Sequence, residues 1–253
     1  MTYDQEKAQR DTVQILKDCG ALLEGHFVLT TDEAHSDRYI NKDAVAMHPL
    51  VLSKLAVMIA ERFELYGIEV VAAPAAGAVS LGQKVATALS TEQSEVLAVY
   101  AEREERRLLG PITAQDSKKL QWNTDSPDYS QGSLGMPFGS ELVVKLPEFE
   151  FKRGYDKAMA GKRVLVVEDI LTTGGSVRKV INAVRDCGGD VVATCVIANR
   201  GGVTSEQIAS ELYSLAAVDF RSWPFGRDCP LCAKNVPINT DVGKGKQWLA
   251  AHK

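Results

Sequence analysis

Two adjacent carboxylates, Glu168 and Asp169, close an apolar run and are followed by a cluster of small and hydroxylic residues, Thr172-Thr173-Gly174-Gly175-Ser176. Paired acids can accept hydrogen bonds from neighbouring hydroxyls of a polyol. Glycines let the backbone approach a ligand closely, and the Thr and Ser hydroxyls add donors. A helix starting at Ser176 would point unpaired N–H groups and partial positive charge at the same place, which favours a phosphate. The combination points to a sugar phosphate: phosphate in the loop, sugar hydroxyls on the acids. The competing reading is an ordinary strand, turn and helix, with Ser176 as N-cap and the acids in solvent. Two other phosphate signatures are missing. There is no G-x-x-x-x-G-K-[ST] run and no G-x-G-x-x-G after an apolar run, so neither a nucleoside-triphosphatase loop nor a dinucleotide fold is supported.

Further candidates carry weaker local signals. Pro74-Ala75-Ala76-Gly77 is a small-residue turn between an apolar run and a helical pattern, able to line a pocket with backbone or merely to join two elements. Lys152 and Arg153 place two cations in a short loop, where they could neutralise charge on a leaving group. Arg200 could grip a carboxylate in a bidentate pair. Cys229 and Cys232 form a C-x-x-C, half of a zinc site or a redox pair. A structural zinc needs four ligands and the sequence offers no second convincing pair, so no residue is assigned to a metal. His26 and His48 read as structural, His48 as a cap before Pro49.

The elements that must position these groups follow from periodicity. Residues 5–19 and 50–65 have apolar positions three and four apart and end in Gly20 and Gly67, which predicts helices. Short apolar runs at Val70–Ala73, Val96–Tyr100, Arg163–Val167 and Val191–Ala198 alternate with helical patterns to about Leu89 and over Ser176–Asp186. That alternation predicts an α/β fold with a parallel sheet, and runs apolar on both faces predict helices on both sides of it. In such sheets ligands bind at the carboxyl ends of strands, where Glu168 and Asp169 fall. Residues 102–140 are charged, then polar and Gly/Pro-rich, with no long period, and read as an insertion: a mobile surface arm or lid.

VLVVEDILTTGGS resembles the phosphoribosyl-pyrophosphate-binding motif of the type I phosphoribosyltransferases. GALLEGHFVLTTDEAHSDRYINKD resembles the amino-terminal hood of the orotate phosphoribosyltransferases, VVAAPAAGAV their pyrophosphate loop, FKRG their mobile catalytic loop, IANRGG the strand end with an arginine near the base, and CPLCAKNVPINT the tail of many bacterial and archaeal members. The resemblance implies a single phosphoribosyltransferase domain over 1–253. Its parts would be hood elements in 1–48, a core in 49–100 and 141–220, the insertion at 102–140 and a tail at 221–253. It implies a donor site of Glu168, Asp169, Thr172, Thr173, Gly174, Gly175, Ser176, Pro74, Ala75, Ala76 and Gly77. It also implies catalytic roles for Lys152, Arg153 and Asp169, and a base side of Arg200, Tyr39, Ile40 and Thr30, with His35, Ser36, Asp37, Arg38 and Asn41 nearby. The family's basic loop carries a further lysine and a histidine; Lys157 matches the first and no histidine follows. Many relatives carry a basic residue at the position of Thr30.

The implied activity is transfer of a phosphoribosyl group from phosphoribosyl pyrophosphate to a nitrogenous base, with Mg2+ as cofactor. The first choice of base is orotate, in pyrimidine biosynthesis. Another base, or a non-catalytic sensor of the sugar donor that controls transcription, remains open. Family likeness also implies a homodimer in which residues 102–160 reach the neighbouring site. The chain of 253 residues has 29 basic and 33 acidic side chains and a net charge of -4, a poor composition for a nucleic-acid binder. No apolar run approaches a membrane span, the opening MTYDQEKAQRD has no secretion-signal pattern, and the odd count of five cysteines argues against a disulfide scaffold. The expectation is a cytoplasmic protein with no nucleic-acid or membrane partner.

Overall fold

A computed structural model describes residues 3–29, 33–108, 144–224 and 227–252. In chain order the elements are α1 (Gln5–Asp18), β1 (Leu22–Val28), β2 (His35–Ile40), α2 (Lys42–Ala46), α3 (Pro49–Phe63), β3 (Val70–Pro74), α4 (Val79–Leu89), β4 (Leu97–Leu108), β5 (Val144–Glu150), α5 (Tyr155–Met159), β6 (Arg163–Leu171), α6 (Gly175–Asp186), β7 (Asp190–Asn199), α7 (Ser205–Ile208), β8 (Leu212–Ala217), β9 (Ser222–Trp223), α8 (Pro230–Ala233) and α9 (Gly245–Ala251).

The main sheet has six strands in the order β5-β4-β3-β6-β7-β8. All neighbours pair in parallel except β4 with β5, which is antiparallel. Alternation along the central strands divides the core. Val71, Ala73, Leu165 and Val167 pack on one face with Leu55, Ile59, Phe63, Leu81 and Val85 of α3 and α4. Val70, Ala72, Val164 and Val166 pack on the other with Val177, Val180, Ile181 and Val184 of α6. Every residue of β3 is buried. A strand covered on both faces has no polar side to spare, which is why it reads as an unbroken apolar run. The expected α/β fold with helices on both faces is the one observed.

The strand order carries a functional consequence. After β3 the chain moves outward to β4 and β5; after β6 it moves the opposite way to β7 and β8. The reversal falls between β3 and β6, whose register runs Val70 to Val164, Val71 to Leu165 and Ala72 to Val166. A crevice opens outside the carboxyl ends of strands at such a reversal, because the loops diverge there.

A second, three-stranded sheet has the order β1-β2-β9. Its first two strands belong to the expected hood, but β9 comes from the expected tail: His35 pairs with Trp223 and Ser36 with Ser222. The hood is therefore built from both ends of the chain. α1, which also packs against β1, seals the last strand of the main sheet. Gln9 Nε2 donates to Ala217 O (2.9 Å) while Gln9 Oε1 accepts from Ala217 N (2.6 Å), and Gln5 Nε2 donates to Ser214 O (3.0 Å).

Two boundaries differ from expectation. The insertion does not start at residue 102: residues 102–108 continue β4 and pair with β5, from Glu102 opposite Glu150 to Leu108 opposite Val144. An antiparallel hairpin needs only backbone partners, so a charged sequence can form it. The remainder of the expected lid, 109–140, lies outside the described residues, as does Thr30. The helix expected to begin at Ser176 begins at Gly175, with Gly174 as N-cap. His48 does occupy the N-cap of α3, but its side chain makes no cap hydrogen bond.

Candidate active site

The acids lie where β6 ends at the reversal. Glu168 is buried at 8% exposure, and its Oε1 accepts a hydrogen bond from Asp169 N (3.1 Å). Asp169 Oδ1 accepts from Ile170 N (2.6 Å), and Oδ2 lies 3.4 Å from Lys42 Nζ. Across the crevice, the loop after β3 presents Gly77. A Cβ built on Gly77 would stand 2.7 Å from both Asp169 Oδ2 and Lys42 Nζ, closer than any side chain tolerates without a shift. Glycine is what allows the two loops to converge on the same space. The result is a narrow crevice lined among others by Ile40, Lys42, Gly77, Asp169, Ile170 and Ala198.

Next to the acids, Gly174 adopts φ +76° and turns the chain into α6. That conformation suits glycine. A Cβ there would also meet Ile208 at 2.9 Å and Val203 at 3.2 Å. The N-terminus of α6 has no side-chain cap. Its leading N–H groups, with Thr172, Thr173 and Ser176 beside them, are available to an anion. The loop is supported from β7: Arg200 N and Gly201 N donate to Leu171 O (2.8 and 3.2 Å), and Gly201 presses so closely that a Cβ would lie 1.6 Å from Thr172 O.

Burial, and then the neighbouring Asp169, push the Glu168 carboxyl well above the usual carboxylate range. The folded state thus holds this proton more tightly than the unfolded chain does. The stability it contributes is complete below the unfolded value near 4.5 and is lost as pH rises through the raised folded value. Glu168→Gln removes that dependence. Calorimetry should show the variant gaining on the wild type as pH rises from 4 to 8, by about 2–4 °C in Tm for each ~1 kcal/mol of relieved burial. Parallel Tm-against-pH curves for the two proteins would refute the assignment.

The sequence-derived residues fall into three groups. Glu168, Asp169, the 172–176 loop and Pro74–Gly77 converge at the reversal, with the Ala75–Ala76 peptide in the cis form. Ile40 lines the same crevice. Arg200 is half-buried with its guanidinium 5.8 Å from the Phe220 ring centre; burial lowers its pKa and Tyr39 acts the other way. Lys152 and Arg153 follow β5, and Arg153 is held by Glu102 and Tyr100 of β4, with the Glu102 hydrogen bond raising its pKa. Two residues expected near the base are used elsewhere: Asn41 caps α2 by accepting from Asp43 N (3.2 Å), and His35 faces the cysteine pair. The partners that the C-x-x-C lacked in the sequence are His26 and His35. Lys42 and Gly201 were not singled out by sequence. Nothing in local spacing ties Lys42 to Asp169 or Gly201 to Thr172, because each contact spans a long chain separation.

Residues 41–228 match the phosphoribosyl transferase domain family. The orotate phosphoribosyltransferase of Caldicellulosiruptor bescii is 30% identical over 226 residues, covering 89% of this chain and 93% of the relative. That of Pelotomaculum thermopropionicum is 32% identical over 234 residues, covering 90% and 93%. Among solved structures, the orotate phosphoribosyltransferase of Aeropyrum pernix superposes with a TM-score of 0.51 at 23% identity, covering 81% of this chain and 92% of that one. The Mycobacterium tuberculosis orotate phosphoribosyltransferase gives a TM-score of 0.53 at 18% identity, covering 82% and 97%. The chain thus belongs to the type I phosphoribosyltransferases, among the orotate phosphoribosyltransferases.

Proposed function

We propose that this protein is the pentosyltransferase that joins orotate to the phosphoribosyl group of phosphoribosyl pyrophosphate, giving orotidine monophosphate and pyrophosphate in pyrimidine biosynthesis. The observation that carries the reading is the convergence of Asp169, Lys42 and Gly77 across the β3–β6 reversal, beside an uncapped α6 N-terminus. The loop 172–176 takes the 5-phosphate. Glu168 and Asp169 accept hydrogen bonds from the two ribose hydroxyls, and the Pro74–Gly77 loop receives the pyrophosphate. The base nitrogen forms its bond to the anomeric carbon as the carbon–oxygen bond to pyrophosphate breaks, through a cation-like sugar. The protein's contribution is positioning and charge stabilisation. Lys42, Lys152 and Arg153 are the cations that balance the departing charge.

The donor set fits magnesium. Asp169 offers hard carboxylate oxygens at the crevice, with the Glu168 carboxyl next to it. Such an ion, when bound, would supply charge neutralisation to the pyrophosphate.

Arg200 and Tyr39 form the base side. Arg200→Ala is expected to raise the KM for orotate by ~10–100-fold, the loss of one charge-assisted pair of ~1.5–3 kcal/mol, while the donor KM stays within about twofold. Equal changes in both KM values would take Arg200 off the base.

The direct test mixes protein, magnesium, phosphoribosyl pyrophosphate and orotate and follows loss of orotate absorbance. Turnover supports the reading. No turnover with orotate but product with a purine base, read by mass, overturns the choice of base.

The assembly in this reading is a homodimer. Met47 and Leu50, 69% and 86% exposed at the α2–α3 corner, give a second copy an apolar face to cover. All five cysteines are free, which suits the reducing cytoplasm. No helix among the described residues is long and apolar enough to cross a membrane.

A further inference from the structure

The CPLC segment takes no part in the crevice. Cys229 is the N-cap of α8 and Cys232 lies within it, so one short turn aims both thiols the same way. Facing them are His26 of β1 and His35 of β2. The four candidate ligand atoms all lie within 4.8 Å of one another. His26 Nε2 is 2.8 Å from His35 Nδ1, Cys232 Sγ is 3.2 Å from His35 Nδ1, and both sulfurs are 3.7 Å from His26 Nε2. In a tetrahedral site with Zn–S of ~2.3 Å and Zn–N of ~2.0–2.1 Å, donor atoms stand roughly 3.3–3.8 Å apart. The four atoms need to move by only about half an ångström to match that spacing.

Three further observations point to an ion. His26 Nδ1 lies 2.8 Å from Val236 O, which can only accept, so Nδ1 carries the proton and Nε2 turns its lone pair to the thiols. A carbonyl behind a histidine in this way is the usual support of a metal-bound imidazole. His35 is fully buried with its Nδ1 turned to His26 Nε2 and the Cys232 sulfur. Burying two imidazoles and a thiol with so few hydrogen bonds calls for another stabilising partner. Finally, the soft donor set of two thiolates and two imidazoles is that of zinc, not of magnesium or calcium.

We propose that His26, His35, Cys229 and Cys232 bind one Zn2+ ion in a closed, structural Cys2His2 site. On binding, each thiol loses its proton to solvent and each sulfur donates a lone pair to the metal; no electron is transferred. The ion ties two hood strands to a tail that is 206 residues away in sequence from His26. The same tail already docks through Asn239 N donating to His26 O (2.7 Å) and Lys244 N donating to Val28 O (2.9 Å). Trp248 of α9 covers the outer side, its ring edge-on to His35 at 4.9 Å. The site thus holds the hood that carries Tyr39 and Ile40, without touching substrate.

The test uses the full chain, purified without a metal-affinity step. Elemental analysis should find about one zinc per chain, as a four-ligand site requires. After chelator treatment, Co2+ titration should give thiolate-to-cobalt charge-transfer bands and the intense visible bands of tetrahedral cobalt, saturating at one equivalent. Cys229→Ser/Cys232→Ser should lose both the zinc and the bands. Should that variant fail to fold, the cobalt titration of the wild type decides alone. Zinc below about a tenth of an equivalent together with no tetrahedral cobalt spectrum overturns the proposal. So does a Cys229–Cys232 disulfide, found by mass spectrometry in metal-free protein as isolated. None of these readouts depends on which base the enzyme uses.

Discussion

Removing both acids, in Glu168→Gln/Asp169→Asn, is expected to lower kcat/KM for phosphoribosyl pyrophosphate by about 10²–10³-fold. Asp169 contributes a charge-assisted hydrogen bond of ~1.5–3 kcal/mol to the sugar, and Glu168, whose burial holds its proton, an ordinary one of ~0.5–1.5 kcal/mol. Together they amount to ~2–4.5 kcal/mol, at 1.36 kcal/mol per tenfold in rate. Calorimetric titration with the donor and magnesium should show binding weakened in step. The loss will not be a folding defect, because Glu168 is already buried at the expense of its charge and the double variant should melt no lower than the wild type at neutral pH. Donor affinity within threefold of wild type would remove the acids from the site.

Gly201→Ala should be nearly as damaging from outside the crevice. The added methyl would stand 1.6 Å from Thr172 O and 2.6 Å from its carbonyl carbon. Both are backbone atoms of the phosphate loop, so the loop itself must move, by more than an ångström. Misplacement on that scale lowers rate by about 10²-fold, and overpacking destabilises by ~1–3 kcal/mol. Gly202→Ala is the control. Gly202, unlike Gly201, has a left-handed φ, +60°, but nothing lies within 4 Å of its Cβ position. It should show only backbone strain of ~1 kcal/mol with its donor KM unchanged. Equal KM values in the two variants would show that the contact between β7 and the loop is not what holds the phosphate site.

The candidate donor site was readable in the chain because it is contiguous. One strand, one loop and one helix start supply Glu168 through Ser176, and each part has a local signal. The parallel sheet was readable for a similar reason: strands buried on both faces leave unbroken apolar runs. What escaped was whatever depends on meeting across the chain. The extension of β4 through EREERRL has no hydrophobic period, since its partner is another strand and not the core. Lys42 follows a helix-capping Asn41 and gives no hint that it lies 3.4 Å from Asp169. The histidine pair was invisible for the plainest reason. His26 and His35 lie on separate strands nine residues apart, without the short spacing by which metal ligands are usually recognised, and their sulfur partners come from the opposite end of the sequence.

Two glutamines of α1, Gln5 and Gln9, have a consequence for the company this molecule can keep. β8 is terminal in its sheet, and such a strand normally offers bare backbone to any extended peptide that drifts past. Here the amide of Gln9 takes both the N–H and the C=O of Ala217, and Gln5 takes the carbonyl of Ser214. A side-chain amide has the same donor and acceptor as a peptide group, so the first helix counterfeits the missing neighbour. An intruding strand would have to evict it rung by rung. Fibril-like stacking is thereby discouraged along this flank, and productive association is steered toward other surfaces.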